Sequence, residues 1–254
     1  IGAVLSIIPF GQPSLINTGV VLSTTGLILS IPEKAQAGSA KFYFDRAFKK
    51  GEKGDYYGAI SDYTKVIELN PKDAVAYYNR GWNKGKLKDY YGEISDYNKA
   101  IEIDPNYKTA YYNRGLSKSD LKDYYGAISD YNKAIEIDPN YKNAYYNRGL
   151  SKSKLKDYYG AISDYTEVIK IDPNDKSAYK NRGVNKGKLK DYYGAISDYN
   201  KAIEIDPNDT DLYVNRSIEK EMIGDIEGAC LDAKKAVSLG DKTSDNKSWI
   251  NDNC

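Results

Sequence analysis

The sequence of 254 residues has no histidine, only two cysteines and one methionine, and almost no net charge, with 37 Lys and Arg against 36 Asp and Glu. Without histidine, the chain lacks the commonest general base and the commonest zinc ligand. Two cysteines are too few for a four-thiolate metal site or a disulfide-rich scaffold. A nucleic-acid binder needs a basic excess, which is also missing. We therefore expect no catalytic residue, no metal, no cofactor and no nucleic-acid partner.

Charged residues are absent from residues 1–32, although they are frequent in the rest of the chain. Residues 15–31 are mostly apolar, and Ala35 and Ala37 fit the small-residue pattern of a signal-peptidase site. We expect an export signal whose start is truncated in this sequence, with cleavage near Ala37 and a periplasmic or secreted product. The apolar stretch also approaches the length of a membrane span, so an uncleaved anchor through residues 15–31 is the alternative.

From residue 40 onward the sequence repeats with a period of 34 residues, marked by Pro71, Pro105, Pro139, Pro173 and Pro207. Alignment on these prolines gives six units, which cover residues 40–73, 74–107, 108–141, 142–175, 176–209 and 210–243. The third and fourth units agree at 27 of 34 positions. Such a period indicates a stacked array, because one short unit cannot bury its apolar face alone. Residues 244–254 form a short tail that we expect to cap the array.

The third unit carries the most informative motif. Its residues 110–115 read AYYNRG and its residues 123–128 read DYYGAI, followed by Tyr131, Ala134 and Pro139. This pattern resembles the tetratricopeptide repeat family, and the resemblance covers residues 40–243. It implies an all-α fold, a right-handed solenoid of antiparallel helix pairs, that serves as a non-enzymatic scaffold for a protein or peptide. Apolar and small residues spaced three and four apart independently favour two amphipathic helices per unit.

Tyrosine is the most unusual component of the sequence, with 26 residues against four phenylalanines. All 26 fall at unit positions 4, 5, 17, 18, 24 and 34. Positions 4, 17 and 24 belong to the packing stripe, so we expect buried rings whose hydroxyls reach the surface. Position 18, which includes Tyr91 and Tyr125, is expected to be exposed.

The resemblance also implies a binding surface, because the first helix of each unit lines the concave face in this family. Position 6 is asparagine in five units, and an exposed amide offers the donor and the acceptor that an extended peptide backbone needs. The predicted peptide-binding residues are Asn79, Asn113, Asn147, Asn181, Asn215, Tyr78, Tyr112, Tyr146, Lys180 and Trp82. Two alternatives stay open for the asparagines: bonds to the neighbouring helix, or inheritance with the duplicated unit.

Several other positions carry structural expectations. Arg at position 7 and Asp at position 23 recur in all six units, which predicts ion pairs across the packed helices. Lysines at positions 11 and 15 are expected to complement the helix dipole along a solvated edge. Glu93 replaces a small alanine and is expected to be locally strained or tilted, while Ser217 replaces a helix-contact glycine. Cys230 is either a small core residue or the disulfide partner of Cys254.

Two other functions remain compatible with the sequence. The chain could be a self-associating architectural or assembly factor that uses the position-18 tyrosines, or the repeat part of a larger enzyme or complex subunit. The sequence does not specify the partner, the biological process or the oligomeric state.

Overall fold

The computed structural model describes residues 33–241 and 244–254, which contain thirteen helices and no strand. The helices are α1 (Glu33–Glu52), α2 (Tyr56–Leu69), α3 (Ala74–Lys86), α4 (Tyr90–Ile103), α5 (Lys108–Asp120), α6 (Tyr124–Ile137), α7 (Lys142–Lys154), α8 (Tyr158–Ile171), α9 (Lys176–Lys188), α10 (Tyr192–Ile205), α11 (Thr210–Met222), α12 (Ile226–Ser238) and α13 (Ser244–Asn253). The first twelve form six packed pairs, and each pair packs on the next. The predicted all-α solenoid is confirmed.

The segment predicted to be an export signal or an anchor covers residues 1–37. Residues 1–32 lie outside the described residues, whereas residues 33–37, which include the predicted cleavage site at Ala35 and Ala37, belong to α1. Among the helices that the structure does describe, none combines the length and the apolar character that a membrane crossing requires.

The second helix of every unit begins at an aspartate N-cap, whose carboxylate accepts a hydrogen bond from a glycine N–H three residues later. The six caps are Asp55, Asp89, Asp123, Asp157, Asp191 and Asp225. An aspartate here satisfies an otherwise unpaired N–H and interacts favourably with the positive end of the helix dipole. The DYYG motif of the sequence is therefore a helix start.

The turn between the two helices of a unit contains a residue in the left-handed backbone region. Units one and six place a glycine there, Gly54 and Gly224, each with a φ of 80°. The four central units place a lysine at this position, with φ between 62° and 63°: Lys88, Lys122, Lys156 and Lys190. A side chain disfavours this region, so the lysines are held there at a cost in stability.

In the second to fifth units, the core forms where the tyrosine at position 24 packs against the glycine at position 8; the first unit has Ala47 there. Tyr131 is fully buried, and a Cβ added to Gly115 would lie 2.6 Å from its ring. In the last unit both partners change, because Ser217 replaces the glycine and the fully buried Ala233 replaces the tyrosine. The smaller residue at position 24 leaves room for the serine.

The prediction that these core tyrosines bring their hydroxyls to the surface is wrong at position 24. The hydroxyls of Tyr131 and Tyr165 are buried without a hydrogen-bond partner among the described residues. Burial raises the pKa of both groups, as expected for a phenol that cannot be solvated when ionised.

The predicted Arg–Asp ladder is present in every unit. In the third unit, Arg114 Nε donates to Asp130 Oδ2 at 2.9 Å and Nη2 donates to Oδ1 at 2.5 Å. The position-11 lysine also joins it, since Lys118 Nζ lies 2.8 Å from Asp130 Oδ2. The position-11 lysine forms this ion pair with the position-23 aspartate in all six units. These lysines therefore do not form the solvated basic edge that the sequence suggested.

The ladder also connects neighbouring units. The third guanidinium nitrogen of Arg114, Nη1, donates to Asn98 Oδ1 of the preceding unit at 2.6 Å, and the ring of Tyr111 lies 5.4 Å from the guanidinium carbon. Equivalent bonds to position 25 of the preceding unit recur for Arg80, Arg148, Arg182 and Arg216. Each of these arginines thus holds two helix pairs together.

A disulfide between Cys230 and Cys254 fastens the tail to α12, with 5.7 Å between the two Cα atoms. The indole N–H of Trp249 donates to Glu221 Oε1 at 3.0 Å. These contacts place α13 against the last helix pair, where an array needs a cap.

Candidate functional site

The first helices of successive units, α1, α3, α5, α7, α9 and α11, contact one another and form one continuous surface, called here the first-helix face. It is the surface that the family resemblance identifies as concave. All ten predicted peptide-binding residues lie on these helices. Their surroundings differ along the array, and this difference locates the candidate site.

The three central asparagines of the predicted ladder bond to the preceding unit. Asn113 Nδ2 donates to the Tyr78 hydroxyl at 2.6 Å. The same bond joins Asn147 to Tyr112 at 3.0 Å and Asn181 to Tyr146 at 2.8 Å. The structure thus places these amides in the neighbouring-helix bond that was one of the open alternatives, and one donor of each amide is already used.

The three tyrosines in these bonds are packed as well as bonded. Tyr78 lies 5.5 Å from Tyr97 and 5.0 Å from Tyr107, measured between ring centroids. Burial raises the pKa of the Tyr78, Tyr112 and Tyr146 hydroxyls, and the asparagine donors oppose this rise only in part. These half-buried rings therefore stiffen the face between units.

The two end asparagines of the ladder have no such tyrosine, because position 5 of the preceding unit is different. Before Asn79 it is Phe44, which has no hydroxyl to accept a bond. Before Asn215 it is Lys180, whose ammonium instead pairs with Asp211 at 2.6 Å. Only at the ends of the ladder is the amide free of the repeated tyrosine bond.

Next to Asn79, α1 and α3 enclose a first cavity of about 330 Å³. Its lining residues are Phe48, Gly51, Glu52, Tyr63, Tyr78, Asn79, Trp82 and Asn83. Phe48 and Trp82 remain 51% and 38% exposed, so apolar surface faces solvent at the opening. Aromatic walls combined with a few polar groups are the usual make-up of a ligand pocket.

One polar atom of this cavity lacks a partner. Asn83 is 3% exposed, and its Nδ2 donates to the backbone oxygen of Asn79 at 2.8 Å. That bond identifies the remaining amide atom as Oδ1, which accepts no hydrogen bond within the described structure. Asn185 repeats this arrangement in the fifth unit. A buried acceptor without a donor is costly. The Asn83 atom is closed to solvent and packs towards Gly51, where an added Cβ would lie 3.0 Å from it, so it belongs to the helix contact and not to the open part of the cavity.

A second cavity, of about 240 Å³, lies on the other side of Trp82, between α3, α4 and α5. Its lining residues are Trp82, Gly85, Lys86, Tyr90, Glu93, Tyr97, Asn113, Leu116, Ser117 and Asp120. Glu93 is only 9% exposed and accepts a hydrogen bond from the Tyr97 hydroxyl at 2.9 Å. Burial raises the pKa of its carboxyl, and the hydroxyls of Ser117 and Tyr97 oppose that rise only in part.

Sequence reasoning found Trp82 but missed the significance of Glu93. The residue was expected to disturb packing, whereas Gly85 accommodates it: a Cβ on Gly85 would lie 2.5 Å from Glu93 Oε1. The signal was available in the alignment of the units, because the other five carry alanine at this position. The unpartnered Oδ1 of Asn83 had no such signal, since it follows from helix packing.

Comparison with protein families gives matches along most of the repeat region. The tetratricopeptide repeat matches residues 109–141, 143–175 and 177–209, and a second profile of that description matches residues 74–107. The TPR repeat matches residues 52–85. No protein with a curated description matches the sequence significantly.

Solved structures share the fold. A crystal structure of MamA protein is 26% identical with a TM-score of 0.65, and the match covers 67% of this chain and 93% of that one. MamA from Desulfovibrio magneticus RS-1 is 20% identical with a TM-score of 0.63, covering 67% and 97%. YrrB, described as a TPR protein with an unusual peptide-binding site, is 23% identical with a TM-score of 0.67, covering 73% and 96%.

Proposed function

Because the chain belongs to the tetratricopeptide repeat family, we propose that it is a non-enzymatic interaction scaffold that binds an extended segment of a partner protein along its first-helix face. Family membership by itself supports interaction with a protein or peptide, and the location of binding must be argued from the site. YrrB, which shares the fold, has a peptide-binding site by its own description.

The observation that carries the proposal is the first cavity between α1 and α3. It combines exposed apolar side chains, Phe48 and Trp82, with the partly exposed amide of Asn79. An apolar side chain of a peptide would cover the aromatic walls, while its backbone has the N–H and C=O groups that the Asn79 amide can bond. We place the main anchor at this end of the face.

The central part of the face has a smaller role in this proposal than the sequence suggested. Asn113, Asn147 and Asn181 each use a donor on a tyrosine, but their carbonyl oxygens can still accept a bond from a peptide N–H. They would guide the segment along the face and contribute less than the first cavity.

Selection from a random peptide library displayed on phage tests this proposal without a known partner. The wild type is expected to enrich peptides, and Phe48→Ala combined with Trp82→Ala is expected to abolish the enrichment. Tyr125→Ala combined with Tyr159→Ala is the matched control, because it removes two aromatic rings that are 77% and 76% exposed on second helices. No enrichment by the wild type, or equal enrichment by the cavity variant, would contradict the proposal.

A second candidate function, self-association, is favoured by the position-18 tyrosines. Tyr57, Tyr91, Tyr125, Tyr159 and Tyr193 are between 73% and 78% exposed and recur once in each of the first five units. Exposed rings at one repeated position offer apolar surface for contact with a second copy. Light scattering over a concentration series tests it: the mass should rise for the wild type and not for a variant with serine at these positions. A constant wild-type mass would remove this candidate.

We also propose that the protein works outside the cytosol, as an exported or membrane-tethered chain. The Cys230–Cys254 disulfide supports this location, because disulfides persist in oxidising compartments. Fractionation of the cells that naturally make the protein should place it in the envelope or the medium, and a chromosomal deletion of residues 1–37 together with any sequence before them should retain it in the cytosol. Recovery of both forms in the cytosol would refute this location.

A further inference from the structure

The four central units are near copies, so a residue that only one of them carries marks a place where the array is specialised. Trp82 is the only tryptophan at position 9, and Glu93 is the only acid at position 20. Asp120 stands at position 13, where Lys86, Lys154 and Lys188 occupy the second, fourth and fifth units. These three departures come from two units and three helices, and all of them line the second cavity.

The charge of Glu93 has no counter-ion. The residue is nine-tenths buried, and no lysine or arginine among the described residues forms an ion pair with it. Its neighbours Tyr97 and Ser117 are neutral, and the other acid of the cavity, Asp120, is exposed at the opening. A buried carboxylate is normally paired, because an uncompensated charge in a dry environment is costly.

The aromatic wall of this cavity already attracts a cation. The ammonium of Lys86 lies 4.6 Å from the centroid of the Trp82 ring, a cation–π contact, and does not turn to Glu93. Tyr90 lines the same cavity. The walls therefore suit an aliphatic stem that ends in a positive charge, and Trp82 is the strongest partner for such a group.

We propose that the second cavity binds a lysine or arginine side chain of the partner segment, with its charge at Glu93 and Asp120 and its stem against Trp82. This inference rests on the proposed function, because the same segment that anchors in the first cavity would cross Trp82 to reach the second. The partner is thus a segment with an apolar residue followed or preceded closely by a basic one. Glu93 determines specificity at this subsite.

The library selection is extended to test the subsite. Peptides enriched by the wild type should share a basic residue at one position. The best peptide is then synthesised with arginine at that position and with citrulline, its neutral isostere, and binding is followed by fluorescence anisotropy. We expect the citrulline form to bind about tenfold or more weakly, as for the loss of one charge from a desolvated pair.

Two substitutions locate the effect in the cavity. Glu93→Ala restores the residue of the other five units, and Asp120→Lys restores that of three, so both variants should fold. Each should remove most of the preference for arginine over citrulline. Glu102→Ala is the control, because it removes the same charge from an exposed pair with Lys99 on α4.

The outcomes separate this inference from the proposed function. Enriched peptides without a shared basic residue, or an arginine preference that survives Glu93→Ala, would overturn the cationic subsite and leave peptide binding intact. A failure of the wild type to enrich any peptide would overturn both. A preference lost in Glu93→Ala and kept in Glu102→Ala is the result that the structure predicts.

Discussion

Replacing Asp130 by asparagine removes the centre of one Arg–Asp ladder and leaves Arg114 and Lys118 without their shared carboxylate. The side chain of Asp130 is 3% exposed, and those of its two partners are 15% and 23% exposed. Loss of one partner from a buried ion pair costs about 3–5 kcal/mol, because the remaining charge is left uncompensated. We expect the lower end, about 3 kcal/mol, since water reaches part of both cations.

The chain supplies two matched controls for this prediction. Asp62 has the same bonds in the first unit, but its Arg46 partner is 44% exposed, so Asp62→Asn should cost only about 1 kcal/mol. Asp232 is in the last unit, and its Arg216 partner is 16% exposed. If burial determines the cost, Asp232→Asn resembles Asp130→Asn. If position at an end of the array determines it, Asp232→Asn resembles Asp62→Asn.

Urea and thermal unfolding followed by circular dichroism measure these differences. A loss of about 3 kcal/mol corresponds to a fall in Tm of about 6–12 °C for a chain of this size. An Asp130→Asn variant within about 1 kcal/mol of the wild type would refute the assignment of the ladder as a major stabilising element. Equal effects at Asp62 and Asp232, both well below that at Asp130, would refute the role of burial.

Three further predictions concern stability. Burial raises the pKa of Glu93, so the folded chain holds this proton more tightly than the unfolded chain, and stability is lost as pH rises from its ordinary value of 4.5 through the raised pKa. The free energy of unfolding of the Glu93→Gln variant should increasingly exceed that of the wild type as pH rises through that window. A difference that does not depend on pH would contradict this prediction. Lys122→Gly relieves a left-handed backbone and should stabilise by about 0.5–1 kcal/mol, whereas Lys133→Gly, at an exposed position inside α6, should destabilise by about 1 kcal/mol; equal effects would show that the turn is unstrained. Reduction of the disulfide, which closes a 24-residue separation, should cost about 3 kcal/mol and shift Trp249 fluorescence towards that of a solvated indole; unchanged unfolding and fluorescence would contradict the capping role of α13.

The fold and the ladder were predictable because they depend on spacing within one unit. Arg114 and Asp130 lie 16 residues apart in every copy, so their pairing follows once the two helices of a unit are packed. The aspartate caps follow from the same local geometry. Because each pattern recurs in all six units, the sequence supports each of these inferences six times.

Contacts between units were harder to predict. The bond from Asn113 to Tyr78 spans 35 residues and depends on how one helix pair is displaced against the next. Sequence spacing identified both residues as belonging to the face but could not decide whether they bond to each other or to a ligand. The buried hydroxyl of Tyr131 was missed for a similar reason, since its exposure depends on the neighbouring unit.

The candidate site departs most from the repeat, and there the repeat pattern misled. Glu93 was interpreted as a packing defect because the position is alanine elsewhere, but the glycine at position 12 leaves room for its carboxylate. The role proposed for it rests on comparing the units at the three positions that line one cavity. That these positions line the same cavity depends on how the helices pack, which the sequence alone does not show.

The most direct test of the central claim, peptide binding at the Trp82 end of the first-helix face, uses the two tryptophans of the chain. A peptide from the library selection is titrated into the ¹⁵N-labelled protein while the two indole N–H signals are followed by NMR. We predict that the Trp82 signal shifts with saturation and that the Trp249 signal, from the C-terminal tail, stays in place. A bound peptide that leaves the Trp82 signal unmoved would contradict the claim.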